Sequence, residues 1–167
     1  YLYNEEDIKH RTVYLEASRG CPFKCEFCLS SLDKTAWRFP LEPFLEAMDD
    51  LYERGLRQYK FVDRTFNLKK DFTLAILDFF LDKLAKNPEE ALFLHFELVP
   101  DYLSDELKEK ILEFPDGSLQ FEIGIQTLNP TTQHLISRRT NLVTAKENIS
   151  WLSKHTDVHL HVDLIVG

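Results

Sequence analysis

Apolar positions along this chain change period repeatedly, from two to about three and a half and back. Residues 12–17, TVYLEA, alternate, with Val13, Leu15 and Ala17 on one face, and read as a strand. From there the apolar side chains next gather at Leu41, Phe44, Leu45, Met48, Leu51 and Tyr52, a helical stripe with Pro43 near its start and Gly55 as its stop. QYKFV at 58–62 is strand-like. A second helix carries Leu74, Leu77, Phe80, Leu81 and Leu84, with Asp71 as its expected cap and Asn87–Pro88 as its close. ALFLHFEL at 91–98 is a third strand, and a short helix begun at Ser104 is expected to turn Leu107, Ile111 and Leu112 inward. Pro115, Asp116 and Gly117 then lead into a fourth strand, SLQFEIGIQ at 118–126. Asn129 and Pro130 pair a cap with proline at the first helical position. Leu142, Ala145, Ile149 and Leu152 mark a further helix, and VHLHVDLIV at 158–166 a fifth strand.

Strands separated by helices imply right-handed crossovers and a parallel sheet, an α/β fold that the length fits into one domain. Ligands of such sheets gather beyond the carboxyl ends of the strands. The polar residues expected there are the loop after strand one, Asp63 and Arg64, Glu97, Glu122, Gln126, Arg138, Arg139 and Asp163. A charge inside an apolar run is costly unless a partner or ligand meets it, which singles out Glu97 within FLHFEL and Asp163 within HVDLIV.

Charge narrows the partners. Twenty basic residues stand against 28 acidic ones, a net −8, which argues against a general nucleic-acid binder. Between residues 9 and 38 the balance reverses: Lys9, Arg11, Arg19, Lys24, Lys34 and Arg38 face Glu16, Glu26 and Asp33. That stretch is either a solvated basic rim or a site for an anion. No apolar run approaches the ~20 residues that span a bilayer, and no charged-then-apolar leader opens the chain, so no membrane partner and a cytoplasmic location are expected. A start at Tyr1 and a stop within a strand read as a piece of a longer protein.

All three cysteines lie in CPFKCEFC, at Cys21, Cys25 and Cys28. A disulfide framework wants an even number and an oxidising compartment. Structural zinc wants four ligands, and no histidine pair lies near this loop; His155 and His159 fall at the start of strand five, remote from it. A cubane iron–sulfur cluster normally takes four cysteines. Three leave one iron open, which suits a catalyst whose fourth ligand is a small molecule.

Cys-x3-Cys-x2-Cys with Phe27 just before the last cysteine, in the loop after the first strand of a βα series, resembles the radical S-adenosylmethionine superfamily. FEIGIQTLNP, ISRR and HVDLIVG extend the resemblance to its coproporphyrinogen dehydrogenase and methylthiotransferase branches. The wording SRGCPFKCEFC looks most like the catalytic piece of members with an amino-terminal cobalamin-binding domain. The resemblance implies a partial (β/α)6 TIM-like barrel, truncated here to about five βα units, with the cobalamin domain and a carboxy-terminal part outside residues 1–167. It implies a [4Fe–4S] cluster on Cys21, Cys25 and Cys28 whose open iron is chelated by S-adenosylmethionine. Reductive cleavage of that molecule gives a 5′-deoxyadenosyl radical that abstracts hydrogen from a substrate. Residue by residue, Glu97 and Gln126 match the polar groups near the ribose, Arg138 the arginine on the methionine carboxylate, and Asp163 the aspartate of strand five. Phe27 would shield the cluster or pack on adenine. The usual glycine-glycine-glutamate element is replaced by VDRTFN, so Asp63 or the local backbone must receive the methionine amine. A small-molecule substrate, a flavodoxin or ferredoxin reductant and cobalamin on the outlying domain complete the expected partners. The competing expectation is a structural or redox-sensing cluster module, which has no need of Glu97, Gln126 and Asp163 around an open face.

Overall fold

The computed structural model describes residues 3–32 and 36–166; Asp33 and Lys34 of the basic stretch, and Gly167, lie outside the described residues. The chain runs through α1 (Glu5–His10), β1 (Val13–Leu15), β2 (Ser18–Arg19), β3 (Trp37–Arg38), α2 (Leu41–Glu53), β4 (Gln58–Phe61) and α3 (Lys70–Lys86). It continues through β5 (Phe93–Leu98), α4 (Asp105–Leu112), β6 (Leu119–Gln126), α5 (Pro130–Leu135), α6 (Leu142–His155) and β7 (His159–Leu164). Among the described residues, five strands form one parallel sheet in the order β1-β4-β5-β6-β7. The small ladder β2–β3 is antiparallel, pairs Ser18 with Arg38, and closes the base of the cysteine loop.

The period-two pattern decides the faces. Tyr59, Phe61, Leu94, Phe96, Leu98, Phe121 and Ile123 all point to the helix side and join Leu51, Ile76, Phe80, Leu107 and Leu152 in one buried cluster. Phe66 and Phe96 stack at 4.1 Å between centroids and Phe61 lies 4.6 Å from Phe96. Each such ring pair is worth about 0.5–1.5 kcal/mol beyond its burial. The other sheet face is polar. Lys60 stands opposite His95, Glu97 opposite Glu122, and Glu122 opposite His161, so the concave side of the partial barrel is a lumen rather than a core.

Helix ends explain where pattern and structure part. Asp71 does not cap α3: the helix starts at Lys70, and Thr73 Oγ1 donates to the Phe66 and Lys69 carbonyls at 2.8 and 3.1 Å. Asp71 sits instead in the first turn, where a negative charge favours the helix dipole. Ser104 does cap α4, accepting from Leu107 N at 3.3 Å, but Leu112 is 53% exposed, because one residue past Ile111 is about 100° around the helix. Gly55 stops α2 with φ +99°, open to glycine at no steric cost. Helix α1 and the β2–β3 ladder lacked a readable period. Strand β7 is an edge, with Val162 and Leu164 exposed.

Candidate cofactor and substrate site

A cavity of about 310 Å³ opens at the carboxyl ends of the strands. Cys21, Cys25, Cys28 and Phe27 line one side of it, and Glu97, Gln126, Arg138 and Asp163 line the rest. Every site residue expected from the sequence is therefore there, except Asp63.

Asp63 is 1% exposed and turned the other way. Its Oδ2 accepts from Ala17 N at 3.0 Å and its Oδ1 from Ser18 Oγ at 2.6 Å. Burial pushes its carboxyl up, and the bonds from Ser18 and Ala17 pull it back. This residue fastens the start of the cysteine loop to β4 and does not reach the cavity. The groups after β4 that do reach it are Arg64 and Thr65.

The cysteine loop is held again at its far end. Cys28 N donates to Cys25 O at 3.1 Å, and Ser31 Oγ to Cys28 O at 2.7 Å, closing two tight turns. Glu26 N donates to Ile136 O at 3.0 Å, and Ser137 Oγ to Glu26 Oε1 at 2.9 Å, so the loop after α5 is clasped to it. Burial raises the Cys21 thiol, and the neighbouring Cys28 and Cys25 add to the effect. A metal that takes the thiolate would overcome that cost.

Arg138 joins the two sides. Its Nη2 donates to Gly124 O, its Nη1 lies 3.8 Å from Cys25 Sγ, and its buried Nε has no hydrogen-bond partner among the described residues. A buried guanidinium donor without an acceptor is what a ligand carboxylate would satisfy. Gly124 makes room: a Cβ there would lie 2.3 Å from Gln126 Nε2. Gln126 itself adopts φ +69°, at a register shift between β6 and β7, and folds back over that glycine.

The acids divide between partners. Arg64 Nη1 reaches both oxygens of Glu97 at 3.2 Å, and burial raises the Glu97 carboxyl while Arg64 opposes that rise. Glu122, the register partner of Glu97 on β6, also lines the cavity. The sequence marked Glu122 as a rim acid but gave it no role. It gave no hint of the Glu26–Ser137 clasp, and His95 and Lys60 read only as polar positions in strands. Their one available signal was alternation with the apolar positions of β4 and β5. Behind the rim, buried Asn67 ties the segment after β4 to the end of β5: its Nδ2 donates to Val99 O and Tyr102 O at 2.9 and 3.1 Å, and its Oδ1 accepts from Val99 N at 2.8 Å.

Among the described residues no three His, Cys, Asp or Glu side chains are set to hold a single metal ion. Zinc would need its thiolates converged on one centre at about 2.3 Å. A cluster instead takes one thiolate per iron. Three cysteines on one wall, with an unsatisfied arginine across from them, fit that arrangement. Residues 15–167 match the family model described as the radical SAM superfamily. The chain belongs to the radical SAM superfamily.

Radical SAM relatives extend the comparison. A structure of TsrM, a radical S-adenosylmethionine methyltransferase from Kitasatospora setae with cobalamin and a [4Fe–4S] cluster bound, superposes with a TM-score of 0.77 at 14% identity. The match covers 94% of this chain and 31% of that one. A second TsrM structure, with tryptophan substrate and the SAM analogue aza-SAM, gives 0.75 at 14% identity over 92% and 30%. At that identity the likeness shows a shared fold, the partial barrel. The uncharacterized methyltransferase PH0819 of Pyrococcus horikoshii is 46% identical over 56 residues, 32% of this chain and 12% of the relative. The chain thus spans less than a third of each of these proteins.

Proposed function

We propose that residues 1–167 are the cofactor-binding core of a radical SAM enzyme that cleaves S-adenosylmethionine reductively at a [4Fe–4S] cluster. The observation that carries this is Arg138, with its Nη1 3.8 Å from Cys25 Sγ and a buried Nε left without an acceptor. Cys21, Cys25 and Cys28 would hold the cluster, which supplies the electron for that cleavage. Arg138 would bind the methionine carboxylate. Glu97 and Gln126 would take the ribose hydroxyls, Phe27 would cover the cluster and pack on adenine, and Asp163 would close the strand-five side. With Asp63 committed to Ala17 and Ser18, the methionine amine falls to the backbone near Arg64 and Thr65.

The net reaction we favour is methyl transfer to a small molecule, with cobalamin carried on a further domain and electrons from a flavodoxin or ferredoxin. Its support is that TsrM and PH0819 are both named methyltransferases. A cytoplasmic location accords with the described helices, none of which is long and apolar enough to cross a membrane. The acidic balance argues against nucleic acid as the substrate.

The test is electron paramagnetic resonance on anaerobically reconstituted, dithionite-reduced full-length protein, with and without S-adenosylmethionine. A [4Fe–4S] signal that changes shape on addition, and is absent in Cys25→Ala, is the expected result. A signal indifferent to S-adenosylmethionine would make the cluster structural or redox-sensing. Bound zinc and no cluster would overturn the enzyme.

A further inference from the structure

Beside Glu97, the lumen carries a connected polar set that has no part in the cofactor assignment. Lys60 and His95 face each other across β4 and β5, and Glu122 stands on the next strand, in register with Glu97 and with His161. One oxygen of Glu122, Oε1, receives both neighbours: His95 Nε2 at 3.0 Å and Lys60 Nζ at 3.7 Å. His95 is 4% exposed, and the angle of its ring leaves Nε2 without a completed hydrogen bond. A buried imidazole and a lysine thus stand against the same carboxylate oxygen.

The other oxygen of Glu122, Oε2, has no partner among the described residues, although Glu122 lines the cavity. Asp163, in register with Gly124, lines the cavity too and likewise has no partner among the described residues. Two of the three arginines that line the cavity are committed elsewhere: Arg64 is paired with Glu97, and Arg138 with Gly124 O. Glu122 stands in register with Glu97, four residues before Gln126 on β6, and so lies beside the cofactor residues on the lumen face. The lumen side of the cavity therefore presents carboxylate oxygens, at Glu122 and Asp163, that no described side chain satisfies.

We propose that Glu122 is the substrate-recognition carboxylate of this cavity, its free oxygen taking an ammonium or N–H donor of a substrate bound in the lumen. His95 and Lys60 are positioning residues that fix the other oxygen from behind. A carboxylate accepts and never donates, so a substrate presenting only acceptors at this point is excluded. A hydroxyl isostere gives up the charge-assisted part of the bond, about half its strength. The proposal rests on the cofactor occupying the rim.

The experiment uses full-length protein with the oxidised cluster and ¹⁵N-labelled histidine, titrated with ethylammonium chloride and separately with ethanol. His95→Gln identifies the His95 ring resonances. The expected result is a saturable shift of those resonances with ethylammonium alone, its apparent Kd raised at least tenfold in Glu122→Gln. Lys60→Met, which frees the carboxylate without removing it, should raise the Kd less. An equal shift in Glu122→Gln, an equal shift with ethanol, or no saturable shift would overturn the proposal. So would loss of the S-adenosylmethionine-induced change in the reduced Glu122→Gln protein, which would place Glu122 in the cofactor site. Failure of the cofactor assignment itself shows separately, as a wild-type cluster indifferent to S-adenosylmethionine.

Discussion

Ser137 donates its hydroxyl to Glu26 at 2.9 Å across 111 residues of sequence. Glu26 lies between Cys25 and Phe27, and Ser137 lies just before Arg138, so this one bond ties the cysteine loop to the arginine expected at the methionine carboxylate. Ser137 has φ +55°, a left-handed conformation that a non-glycine residue adopts only where its surroundings enforce it.

Ser137→Ala keeps that backbone and deletes the bond. A loss of about 1 kcal/mol in global stability is expected. Iron should also be lost to a chelator several-fold faster, because one end of the cysteine loop is released. Urea denaturation and the time course of iron release measure the two. An unchanged release rate alongside the stability loss would show that the clasp does not position the cluster.

Asp63→Ala should cost about 2–4 kcal/mol, since it strips a buried carboxylate from Ala17 N and Ser18 Oγ and leaves both donors unpaired. Denaturant midpoints check it, and a loss below 0.5 kcal/mol would contradict the anchoring role. The cysteine loop should lose protection from hydrogen exchange in the same variant, as β2–β3 comes free of β4.

Burial holds the His95 ring below the ordinary histidine range, with Glu122 pulling the other way. The unfolded chain takes that proton near pH 6.5, whereas the folded chain refuses it until lower pH. Between those points the unfolded state binds more protons, so stability falls as pH falls from 7 toward 5, by at most about 1.4 kcal/mol per pH unit for this one group. His95→Gln should flatten that part of the curve in cluster-free protein. Parallel pH profiles for variant and wild type would refute the assignment.

Gly124→Ala separates fold from site. The added Cβ meets only the end of the flexible Gln126 side chain at 2.3 Å and stays 3.9 Å from Arg138 Nη2. Thermal unfolding should therefore change little, by less than about 1 kcal/mol. Affinity for S-adenosylmethionine should fall roughly tenfold as Gln126 is displaced, about 1.4 kcal/mol. Calorimetric titration showing unchanged affinity would remove Gln126 from the site.

Sequence periodicity found all five strands of the main sheet, because each carries apolar residues on the face that meets the helices. The cysteine spacing found one wall of the cavity and the resemblance found most of the others. Asp63 was misplaced because sequence shows that a carboxylate follows a strand but not which way it turns, and two donors from residues 17 and 18 decided that. The Asp71 cap failed because the helix begins one residue earlier, at Lys70, which leaves Asp71 inside its first turn rather than before it. Clasp and lumen network stayed hidden for a different reason. Both are contacts between segments that only the sheet order brings together, and neither has a local period.

The polar face of the sheet carries a consequence for how such a chain can change over evolutionary time. The side chains that resist unfolding, such as Phe61, Phe80 and Phe96, all lie between sheet and helices. Those facing the lumen contribute little to that cluster. Substitutions at Lys60, Glu122 or His161 can accumulate without spending the stability margin that most proteins hold, about 5–15 kcal/mol. One scaffold can thus be re-lined for new chemistry while the cysteine loop, its two anchors and Arg138 stay as they are.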